Sequence, residues 1–332
     1  MASTYYNGNA VDTSSKDLLS SDILVKITKQ EIESKVFEGI FGIFTKPMLD
    51  TGFQWEEIEV GNLTSEDFDA TGANALTKKN MDFATLYHKI NRRKTFKATV
   101  SDAQVKMSML STANMATLAS AITNELYNSS AIEDFEAIKE LLKDIIVEQK
   151  SMVICDMNGN GKDMDALTKA IQSLATNMTL PSTNYNFSGF KKAFNKKEDL
   201  VLIIDSTTQA KLNVDSLASA FNMAKKDLVS NIIVVDALPA MAFAAEKATK
   251  GVELDIGEAS NIITYKANSG GSEEVTGSAI AILCDKRAII RDPVERELTE
   301  QYNAKGRFTN YYLHATDVLS YSTLKNAIVF VD

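Results

Sequence analysis

Apolar residues recur at Met115, Leu118, Ala119, Ile122 and Leu126, and again at Phe135, Ile138, Leu142, Ile145 and Ile146. This is the three-and-four spacing of one helix face, and it predicts a helical rod over 112–150. Between the two runs lies Asn128-Ser129-Ser130, and Ser130 with Glu133 has the spacing of a capping box, Ser at the N-cap and Glu at N3. The rod is therefore either two helices in series or one helix with a joint. Continuous, it would run about 58 Å, too long for an ordinary packed helix of a small domain. It has the proportions of a spine.

Ahead of the spine the pattern changes twice. Residues 1–15 are small and polar without a period and read as a mobile arm. Ile23, Ile27, Val36 and Phe37 then predict a helix near 16–38. From Phe53 to Val60, and again from Phe83 to Val100, the period shifts toward two. Phe53 and Trp55 alternate, as do Ile58 and Val60, with Phe83, Thr85 and Tyr87 on the return. Residues 61–80 between them hold Gly61-Asn62 and Thr71-Gly72-Ala73-Asn74, turn chemistry without a core. The expectation is a long two-stranded excursion with a flexible tip. An isolated hairpin is marginal in water, so this one must lie on something, and a neighbouring copy is the natural candidate.

Behind the spine, Met152–Cys155 predicts a short strand and Met164, Leu167, Ile171 and Leu174 a helix over 163–177. Leu200–Ile204 and Ile232–Val235 read as buried strands joined by a helical stretch to about Leu228, a parallel pair. Short apolar segments broken by Gly257, Gly270-Gly271 and Gly277 predict strands over 252–284. The final Ala327–Val331 is a strand that docks into a sheet already formed.

Charge and chemistry narrow the function. The 332 residues carry a net charge of −9, which argues against a dedicated DNA-binding module but not against a protein that encloses nucleic acid without gripping it. No stretch reaches the ~18 uninterrupted apolar residues of a membrane helix, and the start lacks the basic and apolar regions of a signal peptide. Cys155 and Cys284 sit in apolar runs and read as buried thiols of a reducing compartment. Asp156, Asn158, Asn160 and Gly161 match the start of a calcium loop, but position 12 is Leu167 where a Glu is required, so a tight turn is expected and no metal. There are two histidines, His88 and His314, outside any recognisable constellation. Asp205 and Asp236 end strands, yet no Gly-x-Gly-x-x-Gly follows either, and they read as caps. No cofactor or catalytic residue is expected.

The excursion is unevenly charged. Glu56, Glu57 and Glu59 lie on the outgoing arm, and Lys78, Lys79, Lys89, Arg92, Arg93 and Lys94 on the return. Pairing of these charges between adjacent subunits is one reading, and loose solvation of an exposed hairpin is the other. On the first reading, reversing Arg92 and Arg93 to Glu impairs assembly more than folding.

The order of arm, β-excursion, spine, α/β body and C-terminal strands resembles the major capsid proteins of tailed phages with the Hong Kong 97 fold. The patches Tyr87-His88-Lys89-Ile90-Asn91-Arg92, Leu118–Glu136, Tyr311-Tyr312-Leu313-His314 and Asn326-Ala327-Ile328 are similar to small podoviruses of the phi-29 kind. The resemblance implies an α+β, Hong Kong 97-like fold: an N-arm (1–44), an extended β-hairpin E-loop (45–99), a peripheral P domain with the spine helix (100–155), an axial A domain (156–284) and C-terminal strands returning to the P domain (285–332). It implies an icosahedral shell of pentamers and hexamers around double-stranded DNA, in the virion, with portal and scaffolding proteins as partners. Some relatives weld shells with a Lys–Asn isopeptide bond. Lys78 and Lys79 have no marked Asn or Glu partner, so non-covalent assembly is expected. The phi-29 protein carries an added immunoglobulin-like domain, and none is expected within the residues up to Asp332. An encapsulin-like compartment is the alternative within the fold, and an α/β enzyme using Asp205, Asp236 or His314 the alternative of another class.

Overall fold

The computed structural model describes residues 4–6, 9–11, 37, 39–49, 52–68, 70–72, 77–102, 112–148, 151–157, 163–212, 232–238, 240–242, 254–255, 262–263 and 276–332. The predicted helix near 16–38 lies outside them, apart from Phe37. So do most of the Asp156–Gly161 turn and the helical stretch beyond Leu212. The chain divides into two compact units, one of residues 1–38, 93–134 and 295–315 and the other of 39–92, 135–294 and 316–332.

Two three-residue strands open the chain, β1 (Thr4–Tyr6) and β2 (Asn9–Val11), paired antiparallel. An arm without elements is the sequence expectation here, and the hairpin corrects it. The overlooked signal is Asn7-Gly8 between Tyr5-Tyr6 and Ala10-Val11, the dipeptide most typical of two-residue hairpin loops. Strands β3 (Gln54–Val60) and β4 (Phe83–Lys89) pair antiparallel, Ile58 facing Thr85 and Glu57 facing Leu86. The period-two stretch does not run unbroken to Val100. It stops at Ile90-Asn91 and resumes as β5 (Arg92–Ser101), in a different sheet. Asn91 makes the break: its side chain donates to the Leu319 carbonyl (2.7 Å) and accepts from the Leu319 N–H (2.9 Å).

Helix α1 (Thr112–Glu148) is a single element of 37 residues, about 55 Å long. It passes through Asn128-Ser129-Ser130 without a cap. Asn128 Oδ1 instead accepts from the Phe37 N–H (2.8 Å), Ser129 donates to the Glu125 carbonyl one turn back (2.8 Å), and the buried Ser130 hydroxyl has no hydrogen-bond partner. The capping-box reading is overturned, because Asn128 serves a tertiary contact, Ser129 the helix's own carbonyl, and Ser130 caps nothing.

Strand β6 (Val153–Asp156) follows, then α2 (Met164–Asn177), β7 (Leu200–Asp205), the short α3 (Ser206–Lys211), β8 (Ile232–Val235), β9 (Ala240–Ala242), β10 (Leu254–Asp255), β11 (Ile262–Ile263) and β12 (Thr276–Asp285). Two long strands, β13 (Ile289–Asn303) and β14 (Phe308–Tyr321), precede the terminal β15 (Ala327–Val331).

The core of the larger unit is a sheet in the order β6-β15-β12-β7-β8, with β9 also on β12. The predicted parallel pair is present, Leu202 facing Ile232 and Ile204 facing Val234. Strand β15 docks as expected, antiparallel to β12 and parallel to β6. All five of its residues are buried, as a central strand covered on both faces requires. The cover comes from α2, through Leu167, Ile171 and Leu174, and from the last turns of α1, through Ile138, Leu142, Ile145 and Ile146, all in one apolar cluster. Pro181 follows the last turn of α2, where a helix cannot continue.

Strands β13, β14 and β5 form a three-stranded sheet with β13 at an edge. That position explains Pro293 within a strand, since an edge has a side that needs no N–H donor. The β13–β14 turn is tight: Asn303 Oδ1 accepts from the Lys305 and Gly306 N–H groups, and Arg307 takes φ 48°. A Cβ on Gly306 would run into the Phe308 ring, which would have to turn aside to admit any other residue.

Candidate functional site

Alternation along β3 and β4 gives the hairpin two faces. Trp55, Glu57 and Glu59 lie on one, opposite His88, Leu86 and Ala84; Glu56, Ile58 and Val60 lie on the other, opposite Tyr87, Thr85 and Phe83. The distribution is inverted from the usual amphipathic strand. The buried face carries the charges, whereas Ile58 (57% exposed), Val60 (41%), Phe83 (61%) and Tyr87 (63%) are open to solvent.

The charged face is met by the segments around Lys191 and Lys325. Lys325 bridges Glu57 (3.1 Å) and Glu59, and Lys191 pairs with the other oxygen of Glu59. His88, 2% exposed, bonds through Nε2 to Glu57 (3.3 Å) and through Nδ1 to the Ser320 hydroxyl (2.7 Å). A carboxylate only accepts, so Nε2 carries the proton, and in the neutral ring Nδ1 accepts from Ser320. Burial opposes the ionisation of Glu57, but hydrogen bonds from His88 and Ser322 and the charge of Lys325 outweigh it and hold the carboxyl at about 2. Trp55 lies between the His88 ring, 4.3 Å between centroids, and Lys46 Nζ at 5.1 Å. Nearer the tip, Asn62 Oδ1 accepts from the Lys192 N–H (2.6 Å).

The nine charges expected at subunit contacts thus have different fates. Glu57 and Glu59 are in the buried cluster. Arg92 is buried and donates to Asp317 (2.9 Å), whose side chain is wholly buried. Lys79 pairs with Glu66 (2.8 Å) and Lys94 with Glu133 (2.9 Å). Glu56, beside the Tyr87 hydroxyl, lies with Lys78, Lys89 and Arg93 at the exposed surface. Sequence reasoning missed Lys191, Ser320, Ser322 and Lys325. The usable signal was the i, i+2, i+4 series Trp55, Glu57, Glu59, which puts two carboxylates and the chain's one Trp on a single strand face.

The remaining candidates do not converge. Asp205 caps α3, accepting from the Thr208 N–H (2.8 Å) and the Thr207 hydroxyl (2.5 Å). Asp236 pairs with Lys139 (2.8 Å) beside a shallow groove of about 700 Å³ that Asp205 does not line. His314 bonds to Thr95 (3.1 Å) and Thr299 (3.2 Å). Among the described residues no three His, Cys, Asp or Glu side chains are grouped to hold a metal ion, and no helix is long and apolar enough to cross a membrane.

Comparison with known proteins gives a consistent result. A family model described as the Phi29-like phage major capsid protein matches residues 9–331. The major capsid protein of Bacillus phage GA-1 is 28% identical over 312 residues, 91% of this chain and 57% of that protein. That of Bacillus phage PZA is 28% identical over 295 residues, 87% and 57%. The chain therefore spans 57% of the length of these relatives. Among solved structures, a chain of the Staphylococcus phage Andhra capsid superposes with a TM-score of 0.70 at 17% identity, over 92% of this chain and 87% of that one. A chain in a structure of the head fiber and inner core protein gp22 of native bacteriophage P68 gives 0.63 at 14% identity, over 92% and 88%. The likeness to these structures establishes the fold, that of Hong Kong 97-type phage capsid chains.

Proposed function

Since the chain belongs to the Phi29-like phage major capsid protein family, we propose that it is a shell subunit, many copies of which close an icosahedral head around double-stranded phage DNA. The match over residues 9–331 carries this reading. The protein works by assembly and not by catalysis, and its place is the virion, after assembly in the host cytoplasm with portal and scaffolding proteins. A modest contact repeated with closed symmetry gives a stable container even where each contact is weak.

The functional division follows the same reading: N-arm 1–44, E-loop 45–99, P domain 100–155 with the spine, A domain 156–284 and the C-terminal strands 285–332. The E-loop hairpin meets a neighbouring copy through its outer face. The exposed Ile58, Val60, Phe83 and Tyr87 support that role. Since these side chains are already partly covered, each contributes on the order of 1 kcal/mol when the rest of its surface is buried. Glu56, Lys78, Lys89 and Arg93 then form a charged rim that sets orientation more than affinity.

Negative-stain electron microscopy of the purified chain, alone and with the products of neighbouring genes, tests the proposal. Closed shells or capsomer-like rings are the expected result, and co-purifying DNA instead of an enzyme cargo separates a phage head from a compartment. A chain that stays monomeric under all these conditions would remove the shell reading.

A further inference from the structure

The hairpin's attachment to its own chain is ionic where its free face is apolar, and that inversion has a consequence for assembly. Two stretches remote in sequence, Lys191-Lys192 and Ser320 to Lys325, converge on β3 and β4, and Lys46 joins them from just ahead of β3. The groups facing Glu57 and Glu59 are His88 from β4, Lys191, Ser322 and Lys325, and Lys325 also feels the charge of Asp285. Two carboxylates and two ammonium groups balance one another at the contact. The Glu57 and Glu59 side chains are each 10% exposed and that of Lys325 17%. No bulky apolar side chain of the hairpin other than the half-buried Trp55 and Leu86 lies on this face.

We propose that Glu57, Glu59, Lys191 and Lys325, with His88, form a clasp that fixes the E-loop hairpin on its own subunit before any neighbouring copy arrives. Assembly then docks a preset arm instead of ordering a loose one, and the ordering entropy of the arm is not charged against the subunit contact. The consequence for assembly rests on the reading that the outer face meets a second copy, while the clasp itself does not. A partly water-excluded cluster of this kind is directional: moving the hairpin by one residue turns Glu57 and Glu59 outward and the apolar side chains inward. The clasp therefore also fixes which face the arm presents.

Hydrogen exchange read by mass spectrometry tests this on the full chain, at a concentration where light scattering reports the subunit mass. In the wild type, the paired amides of 54–60 and 83–89 are protected. In E57Q/E59Q they exchange on the order of ten- to a hundredfold faster, because removing one side of a buried ion pair leaves the other uncompensated, while amides of β7 and β12 change less than about threefold. If E57Q/E59Q loses protection in β7 and β12 as well, K191M and K325M are measured in its place with the same criterion. Equal hairpin protection with and without the clasp overturns the proposal, and so does a wild-type hairpin that exchanges freely above a protected body. Assembly is followed separately at high concentration, with the outer-face variant I58S/F83S as the companion. That variant keeps hairpin protection and loses assembly. A wild-type chain that never assembles removes the shell reading and leaves the clasp result standing; unaltered hairpin protection in E57Q/E59Q removes the clasp and leaves the shell reading standing.

Discussion

Arg92 offers the sharpest test of how charge is used in this chain. Its guanidinium donates to Asp317 Oδ2 at 2.9 Å, and the side chains are 8% and 0% exposed. Substituting Arg92→Met removes this cation from the buried Asp317 carboxylate. Breaking a pair of this kind costs about 3–5 kcal/mol, against a total stability of roughly 5–15 kcal/mol for an ordinary domain. Arg93, one residue on, lies at the surface, and Arg93→Glu is expected to cost no more than about 1 kcal/mol. Urea unfolding followed by near-ultraviolet circular dichroism measures both. The Arg92 variant should unfold at a much lower midpoint with an unchanged slope, and Arg92→Met/Asp317→Leu should recover most of the loss, because an apolar replacement of the whole pair leaves no stranded charge. An Arg92→Met protein within about 1 kcal/mol of the wild type would refute the reasoning. The result also separates the two neighbours. Reversing both to Glu, which the sequence suggested as a probe of assembly, mixes a folding defect at Arg92 with any assembly defect at Arg93.

Three further outcomes follow from particular side chains. Glu57 is held at about 2 in the folded chain against 4.5 for a free Glu. Because the folded value is the lower one, its contribution is fully present above about pH 4.5 and is lost as pH falls toward 2; an acid titration of stability should be shallower in Glu57→Gln over that window. Cys155 is buried and its thiol is pushed up to about 12, with Cys284 pushed up as well, in both cases by burial first and then by the adjacent Asp. Neither should react with a thiol reagent at pH 8 until denaturant is added. Ser130→Ala should raise the melting temperature, since it deletes a buried hydroxyl without a hydrogen-bond partner and gains roughly 0.5 kcal/mol of helix propensity; a cap at that position would instead make the same change cost about 1 kcal/mol.

The sequence made some of this legible because the signals are local. The periods of three-and-four and of two place α1, α2, β3 and β4, short continuous apolar runs place β7, β8 and β15, and the patches at 87–92 and 118–136 pointed to the family that the comparison over 9–331 shows. Misreadings arose where one local pattern serves two physical ends. Ser130 with Glu133 is a capping box at a helix start and an ordinary i, i+3 pair within a helix, and only the Phe37 N–H on Asn128 tells the two apart. The fate of the charges was illegible for another reason. Glu59 finds Lys325 across 266 residues, and Arg92 finds Asp317 across 225, so no window of sequence contains both partners. What the sequence does contain is the alternation that makes such partners necessary. With Ile58 and Val60 on one face and Glu57 and Glu59 on the other, either the carboxylates or the apolar side chains must turn inward. In this chain the carboxylates turn inward, matched by lysines from elsewhere in the same subunit. The apolar side chains are left outward, which is the distribution that the proposed contact with a second copy needs if the arm is set before assembly.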